Sequence, residues 1–242
     1  MVSEIICKAF KSTFSIEIAE MDKELKIWEV DKGDFKREES KTRDSGGLSK
    51  ISFVRQKLTQ RRCVLKLNSR IDKNVIKMFK QEVYILAQCK HPAIVPFVGY
   101  HFKDDQVMKI YLEAMPNMSI SNYLKSHYKE FTETNFLIIA YGISCGLEYL
   151  HFREILHRDL KAENVILDNN LDPYITDFGT SKESFQEQLS SGTIDQTTLA
   201  IMAPEFIENY IKYNRTKPID IYSYAITLFQ LVTGRPPYGE KP

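Results

Sequence analysis

Apolar residues recur along this chain in two rhythms, and the change between them organises it. From Ser45 to Leu67 the runs are short: Ile51, Phe53 and Val54, then a polar turn at Thr59 to Arg62, then Cys63 to Leu67, which predicts a β-hairpin. Between Ile71 and Cys89 the apolar positions Val75, Ile76, Phe79, Val83 and Leu86 fall at three- and four-residue steps. That spacing predicts an amphipathic helix, stopped by His91 and Pro92. Ile94 to Tyr100 and Val107 to Ala114 then predict strands, so the first half reads as a sheet carrying one helix. After Pro116 and Asn117 the rhythm turns helical, with long, mostly apolar helices expected over Asn135 to His151 and Ile219 to Val232. Two lobes follow, joined near Glu113 to Asn117. Residues 1 to 43 end instead in the charge run Asp31 to Arg43, which predicts a solvated segment or linker.

Composition narrows the class. The chain has 242 residues, 43% hydrophobic and 27% charged, which excludes a disordered or collagenous protein. Lys and Arg total 33 against 32 Asp and Glu, so a net charge of +1 gives no global attraction to nucleic acid or anionic lipid and leaves room only for a local patch. The most apolar windows are too short or too interrupted for the roughly 20 apolar residues of a membrane span. Met1 to Phe10 contains Glu4 and Lys8 and no cleavage pattern, so it does not read as a secretory signal. Cys7, Cys63, Cys89 and Cys145 are scattered without metal-ligand spacing, which fits thiols in a reducing compartment. A cytoplasmic location is expected, with no nucleic-acid partner.

The chemistry concentrates in three ordered motifs. His157, Arg158, Asp159, Leu160, Lys161, Ala162, Glu163 and Asn164 fill the pattern H-R-D-L-x-x-x-N, and Asp177, Phe178, Gly179 and later Ala203, Pro204, Glu205 follow. On these residues the chain resembles the eukaryotic protein kinases. Softer likenesses over Gly142 to His151, Asp177 to Lys182 and Ile219 to Tyr238 resemble the tyrosine-kinase-like Ser/Thr subgroup. The resemblance covers about Ser45 to Tyr238. It implies an α+β, two-lobed kinase fold: residues 44–112 a small N-lobe sheet with one helix, 113–242 the hinge and a mostly helical C-lobe, and 1–43 an N-terminal extension. Family members continue with further helices beyond the position of Pro242, so an incomplete C-lobe is expected, with room for a partner that covers it.

Phosphoryl transfer needs a group to orient the attacking hydroxyl and oxygen ligands for Mg²⁺, because the transferred charge must be neutralised in line. The resemblance assigns Asp159 as the hydroxyl-orienting base, Asn164 and Asp177 as Mg²⁺ ligands, and Lys161 as a cation at the transferring phosphate. It assigns Lys66 and Glu82 as the ion pair that aims an ammonium at the α- and β-phosphates. Alone, each would read as an ordinary surface charge. Gly46 and Gly47 stand in the glycine-loop position, where Asp44 and Ser49 replace two of the family's glycines. Ile51, Val64 and Leu167 are expected as apolar walls of the adenine site, with Leu112 as gatekeeper and the backbone of Glu113 and Met115 pairing with the base. Thr193 is the expected activation-loop phosphosite facing Arg158, Thr198 and Lys161 favour Ser/Thr acceptors, and Asp220 is expected to cap the catalytic-loop backbone. The expected function is ATP- and Mg²⁺-dependent phosphorylation of serine or threonine in protein substrates. The altered glycine loop leaves a pseudokinase or scaffold as the alternative. Small-molecule phosphotransferases fit less well, since Ala203 to Glu205 and Asp220 belong to the protein-kinase pattern.

Overall fold

The described residues form thirteen strands and α-helices: β1 (Phe35–Arg37), β2 (Arg43–Ser45), β3 (Ser49–Gln56), β4 (Arg62–Asn68), α1 (Lys73–Gln88), β5 (Phe97–Lys103), β6 (Val107–Glu113), α2 (Ile120–His127), α3 (Glu133–Phe152), β7 (Val165–Leu167), β8 (Pro173–Ile175), α4 (Pro204–Glu208) and α5 (Pro218–Thr233). They come from a computed structural model that describes residues 23–38, 43–45, 49–68, 73–103, 107–178, 199–208 and 216–237. The described elements fall into two compact units, one formed by Met1–Ile71 with Phe97–Leu112, the other by Asp72–Pro96 with Glu113–Pro242. Helix α1 therefore groups with the second unit, and the chain finally passes from first to second between Leu112 and Glu113.

The first unit is a sheet in the order β1-β3-β4-β6-β5, with β2 also paired to β3. Antiparallel register sets Ile51 opposite Lys66 and Phe53 opposite Val64. Because side chains alternate along a strand and opposed residues share a face, Ile51, Phe53, Val64 and Lys66 lie on one side of the sheet. The other side buries Val54, Cys63 and Tyr111, with Val30, Phe35, Leu65 and Val98 packed against them.

That packing corrects the linker expectation for the described part of Asp31 to Arg43. Phe35 stacks on Tyr111 with ring centroids 3.9 Å apart, β1 pairs with the end of β3, and the Val30 N–H donates to Tyr100 O at 2.9 Å. A few apolar side chains with a surface to cover outweigh the intervening charges, whose heads stay in water. The strand expected over Ile94 to Tyr100 starts later, at Phe97. Ile94 and Val95 instead join the second unit, where the Val95 N–H donates to Ile175 O and the Ile175 N–H to Ala93 O.

In the second unit α3 runs longer than its apolar rhythm. Thr132 and Asn135 exchange side-chain and backbone hydrogen bonds as a capping box, so the helix begins at Glu133, before Asn135. Its buried face, Ile139, Ile143, Gly146, Leu147 and Leu150, supports the β7–β8 hairpin. A methyl group at Gly142 would meet the Pro173 ring of that hairpin at 2.5 Å, so only glycine permits the approach. Helix α5 buries Ile219, Asp220, Ser223, Thr227 and Leu231 along one stripe and ends at Gly234 in the left-handed region, φ 65°. The Tyr224 hydroxyl ties it to α3 through Ala140 O at 2.9 Å. Among the described residues no helix is long and apolar enough to cross a membrane.

Candidate active site

The loop from His157 to Lys161 follows α3 and leads through a 3₁₀ turn, Ala162–Asn164, into β7. A polar loop can lie this deep only if its backbone groups find partners, and Asp220 supplies them. Fully buried in the first turn of α5, its Oδ1 accepts from the Arg158 N–H at 2.8 Å and its Oδ2 from the His157 N–H at 2.9 Å. His151 Nε2 lies 2.8 Å from the same Oδ2. Burial alone would raise the Asp220 carboxyl, but His151, the nearby His157 and the two backbone donors outweigh it and hold the group below the usual carboxylate range. The expected capping role of Asp220 matches this geometry. Arg158 is held at φ 66°, a costly conformation for a residue with a side chain.

His157 links this loop to the hairpin. Its Nδ1 accepts from the Asp159 N–H at 3.3 Å and its Nε2 lies 3.0 Å from Thr176 O, a pattern that calls for the Nε2–H tautomer. Its ring also packs on Phe178, centroids 5.2 Å apart. From the other side the Thr176 N–H donates to Asn164 O at 2.9 Å, extending the register in which Val165 faces Ile175. The open end of the hairpin thus brings together Asn164 and the segment entering Asp177.

Asp159 lies between these supports, 8% exposed. Its Oδ2 meets Lys161 Nζ at 3.0 Å and accepts from Asn164 Nδ2 at 2.9 Å, and Nδ2 also donates to the Asp159 carbonyl at 2.7 Å. Its Oδ1 is buried without a hydrogen-bond partner among the described residues. Burial raises the Asp159 carboxyl and the Asp177 charge adds to that, while Lys161 and His157 oppose them; the net direction is upward. Asn164 spends its amide nitrogen on Asp159, which turns its oxygen to the opposite side. Asp177 stands at φ 67°. An amide oxygen and a carboxylate at one hairpin end are hard donors of the kind Mg²⁺ takes, usually one or two from protein and the rest from phosphate and water. The residues present therefore fit that ion.

The remaining predicted positions divide between the units. In the first, Ile51, Val64 and Lys66 are half-buried on one sheet face, and Leu112 pairs with Phe97 at the end of β6. In the second, Glu82 is buried on α1, the Glu113 N–H donates to Pro96 O at 3.0 Å, and Met115 is buried just beyond. Leu167 is fully buried beside Val165, its backbone joined to Asn117 and Met118. With no accessible surface it meets no ligand; Ile166, on the opposite face of β7, keeps part of its surface. Gly46, Gly47, Thr193 and Thr198 lie outside the described residues. Sequence reading missed His151, Thr176 and the grip of Asn164 on Asp159. Only the helical spacing that puts His151 in the last turn of α3, just before the motif, could have suggested the first.

A family model for the protein kinase domain matches residues 40–242. Serine/threonine-protein kinase STY17 of Arabidopsis thaliana is 32% identical over 213 residues, 88% of this chain and 36% of that protein. STY46 of the same plant is 35% identical over 169 residues, 70% of this chain and 28% of that one. Mitogen-activated protein kinase kinase kinase 1b of Physcomitrium patens is 32% identical over 178 residues, 73% and 22% of the two chains. The chain spans little more than a third, or less, of the length of these relatives. A loop carrying the family's motif, capped by a buried aspartate and set against the β7–β8 hairpin, agrees with a match over most of the sequence: the chain belongs to the protein kinase domain family.

Proposed function

We propose that this chain transfers the γ-phosphoryl group of ATP, with Mg²⁺, to serine and threonine hydroxyls of protein substrates. The observation that carries the reading is Asp159. One carboxylate oxygen is pinned by Lys161 and Asn164, and the other is buried without a partner among the described residues. Leaving a buried acceptor unmade costs about 1–3 kcal/mol, a cost that serves a site where an incoming hydroxyl completes the bond. ATP supplies the transferable phosphoryl group, and Mg²⁺ neutralises its charge. Asp159 Oδ1 then orients the substrate hydroxyl and takes its proton, while Lys161 holds the carboxylate in place and adds positive charge beside it. Asn164 and Asp177 are the metal ligands, and Lys66 and Glu82 complete the charged set. Ile51, Val64, Glu113, Met115 and Ile166 are the residues proposed to meet the nucleotide, with Ile166 in the place expected of Leu167. Gly46 and Gly47 are proposed for the phosphates. The reaction belongs to the cytoplasm, where Cys63, Cys89 and Cys145, which form no disulfide, stay reduced.

The test is Asp159→Asn, which keeps shape and hydrogen bonding but cannot accept a proton. Transfer of labelled phosphate from ATP to a protein substrate should fall about 10²–10⁴-fold, with an unchanged circular-dichroism spectrum. Turnover at the parent rate would overturn the assignment, and an unaltered chain that binds Mg-ATP without turnover would favour the scaffold role.

A further inference from the structure

The turn between β3 and β4 concentrates a charge that the whole chain lacks. Arg55, Lys57, Arg61 and Arg62 crowd a stretch, Arg55 to Arg62, that holds no acidic residue, and β1 adds Lys36 and Arg37 beside it. Register places Lys36 opposite Arg55 and Arg55 opposite Arg62, a row of three cations across three strands. Like charges directly opposed destabilise a sheet. Glu38 relieves part of this, accepting from Arg55 Nη2 and Arg62 Nε at 2.9 Å each. Asp34 also lies at the tip, where its backbone carbonyl accepts from the Lys57 N–H. Among the described residues, these six cations thus accompany Glu38 and Asp34, in a chain of net charge +1.

The tip is also exposed and braced by its own hydrogen bonds. Residues 57–62 are all exposed, and the turn spends its polar groups on itself. Arg55 Nη1 donates to Gln60 O at 2.8 Å, Gln60 Nε2 to Lys57 O at 2.7 Å, and the Thr59 hydroxyl to Gln56 Oε1 at 2.6 Å. Leu58 is left standing out of this frame, 91% exposed, between cations on both strands. A scattered surface leucine needs no explanation; one projected from a braced turn inside a basic cluster does.

A turn whose residues are all exposed offers little enclosure for a peptide or small ligand, which bind in concavities. It does match a flat, negatively charged surface, where the cations take headgroup phosphates and the leucine enters the acyl boundary. A nucleic acid would use the same cations and leave the leucine in water. We propose that the β3–β4 hairpin tip docks this chain on an anionic lipid bilayer.

The experiment is co-sedimentation of the full chain with vesicles of phosphatidylcholine alone and with about 30% phosphatidylserine, a stand-in for an anionic leaflet. Binding is expected only with phosphatidylserine and should weaken as salt rises. Each cation near such a surface contributes a factor of about five, so Lys36→Ala with Lys57→Ala should lower partitioning about 25-fold. Leu58→Ser should lower it severalfold. All three side chains are exposed, so the melts should match the parent. Equal binding to phosphatidylcholine alone, or a double variant that binds like the parent, would overturn the proposal. So would inositol hexakisphosphate or single-stranded RNA binding as tightly as the vesicles with no effect of Leu58→Ser, since the surface would then serve soluble polyanions.

Discussion

Asp220 and Asp159 sit on either side of the same loop, and their surroundings push them in opposite directions. Asp220 is depressed, so its stabilising contribution is complete above the ordinary aspartate value of about 3.9 and is lost as pH falls through the lower folded value. Asp220→Asn would turn an amide donor toward the N–H of His157 or Arg158. A loss of about 3–5 kcal/mol is expected, read from urea melts, and the parent should lose stability more steeply than the variant below about pH 4. Parallel acid profiles would remove the linkage argument. Asp159 is raised, so its ionised form opposes folding and is needed for turnover. The acidic limb of its pH–rate profile should therefore lie above the ordinary carboxylate range, and Asp159→Asn should melt no lower than the parent. At this scale Asp159, Asn164, Asp177 and Asp220 stand out in the sequence because a fixed local pattern carries them. His151 and Thr176 do not, since their roles depend on closeness to residues far off in sequence, Asp220 for one and His157 for the other.

The elements that position those residues were read unevenly, for reasons of period and length. Helices α1, α3 and α5 each show several turns of three- and four-residue spacing, enough to reveal a face. Strands β7 and β8 have three residues each, too few for alternation to register. The N-terminal stretch misled for another reason: Asp31, Lys32, Asp34, Lys36, Arg37 and Glu38 surround Phe35, so local composition hides a side chain that stacks on Tyr111. Adjacency in the sheet decides such a segment, and charge counting cannot see it. The α3–hairpin contact is where element packing meets the chemistry. A proline ring cannot swing aside as a flexible side chain would, so Gly142→Ala must shift either α3 or Pro173. A cost of about 1–3 kcal/mol is expected. Because β8 leads directly into Thr176 and Asp177, turnover should fall along with the melting temperature. A variant with parent stability would show that the hairpin has slack here, and one that is destabilised with full turnover would uncouple the contact from the site.

For the whole molecule, a near-neutral composition conceals both the basic hairpin tip and the carboxylates gathered at the end of β7 and β8, so net charge says little about what either surface binds. Ligand linkage gives the reading of the second its most direct global test. A ligand that binds only the folded state stabilises it by about 2.7 kcal/mol at a hundredfold excess over its Kd. For a chain of this size that raises the melting temperature by about 5–10 °C. ATP with Mg²⁺ should therefore produce a clear shift, and ATP with EDTA a smaller one, the difference being the part that passes through the metal ligands. Asp177→Ala deletes one hard oxygen from that pair and removes a negative charge that raises Asp159. The variant should keep the EDTA-resistant shift and lose the Mg²⁺-dependent increment, and without ligand it should melt near the parent. An increment that survives Asp177→Ala would mean that the metal enters through other oxygens and that the hairpin end has been assigned the wrong task.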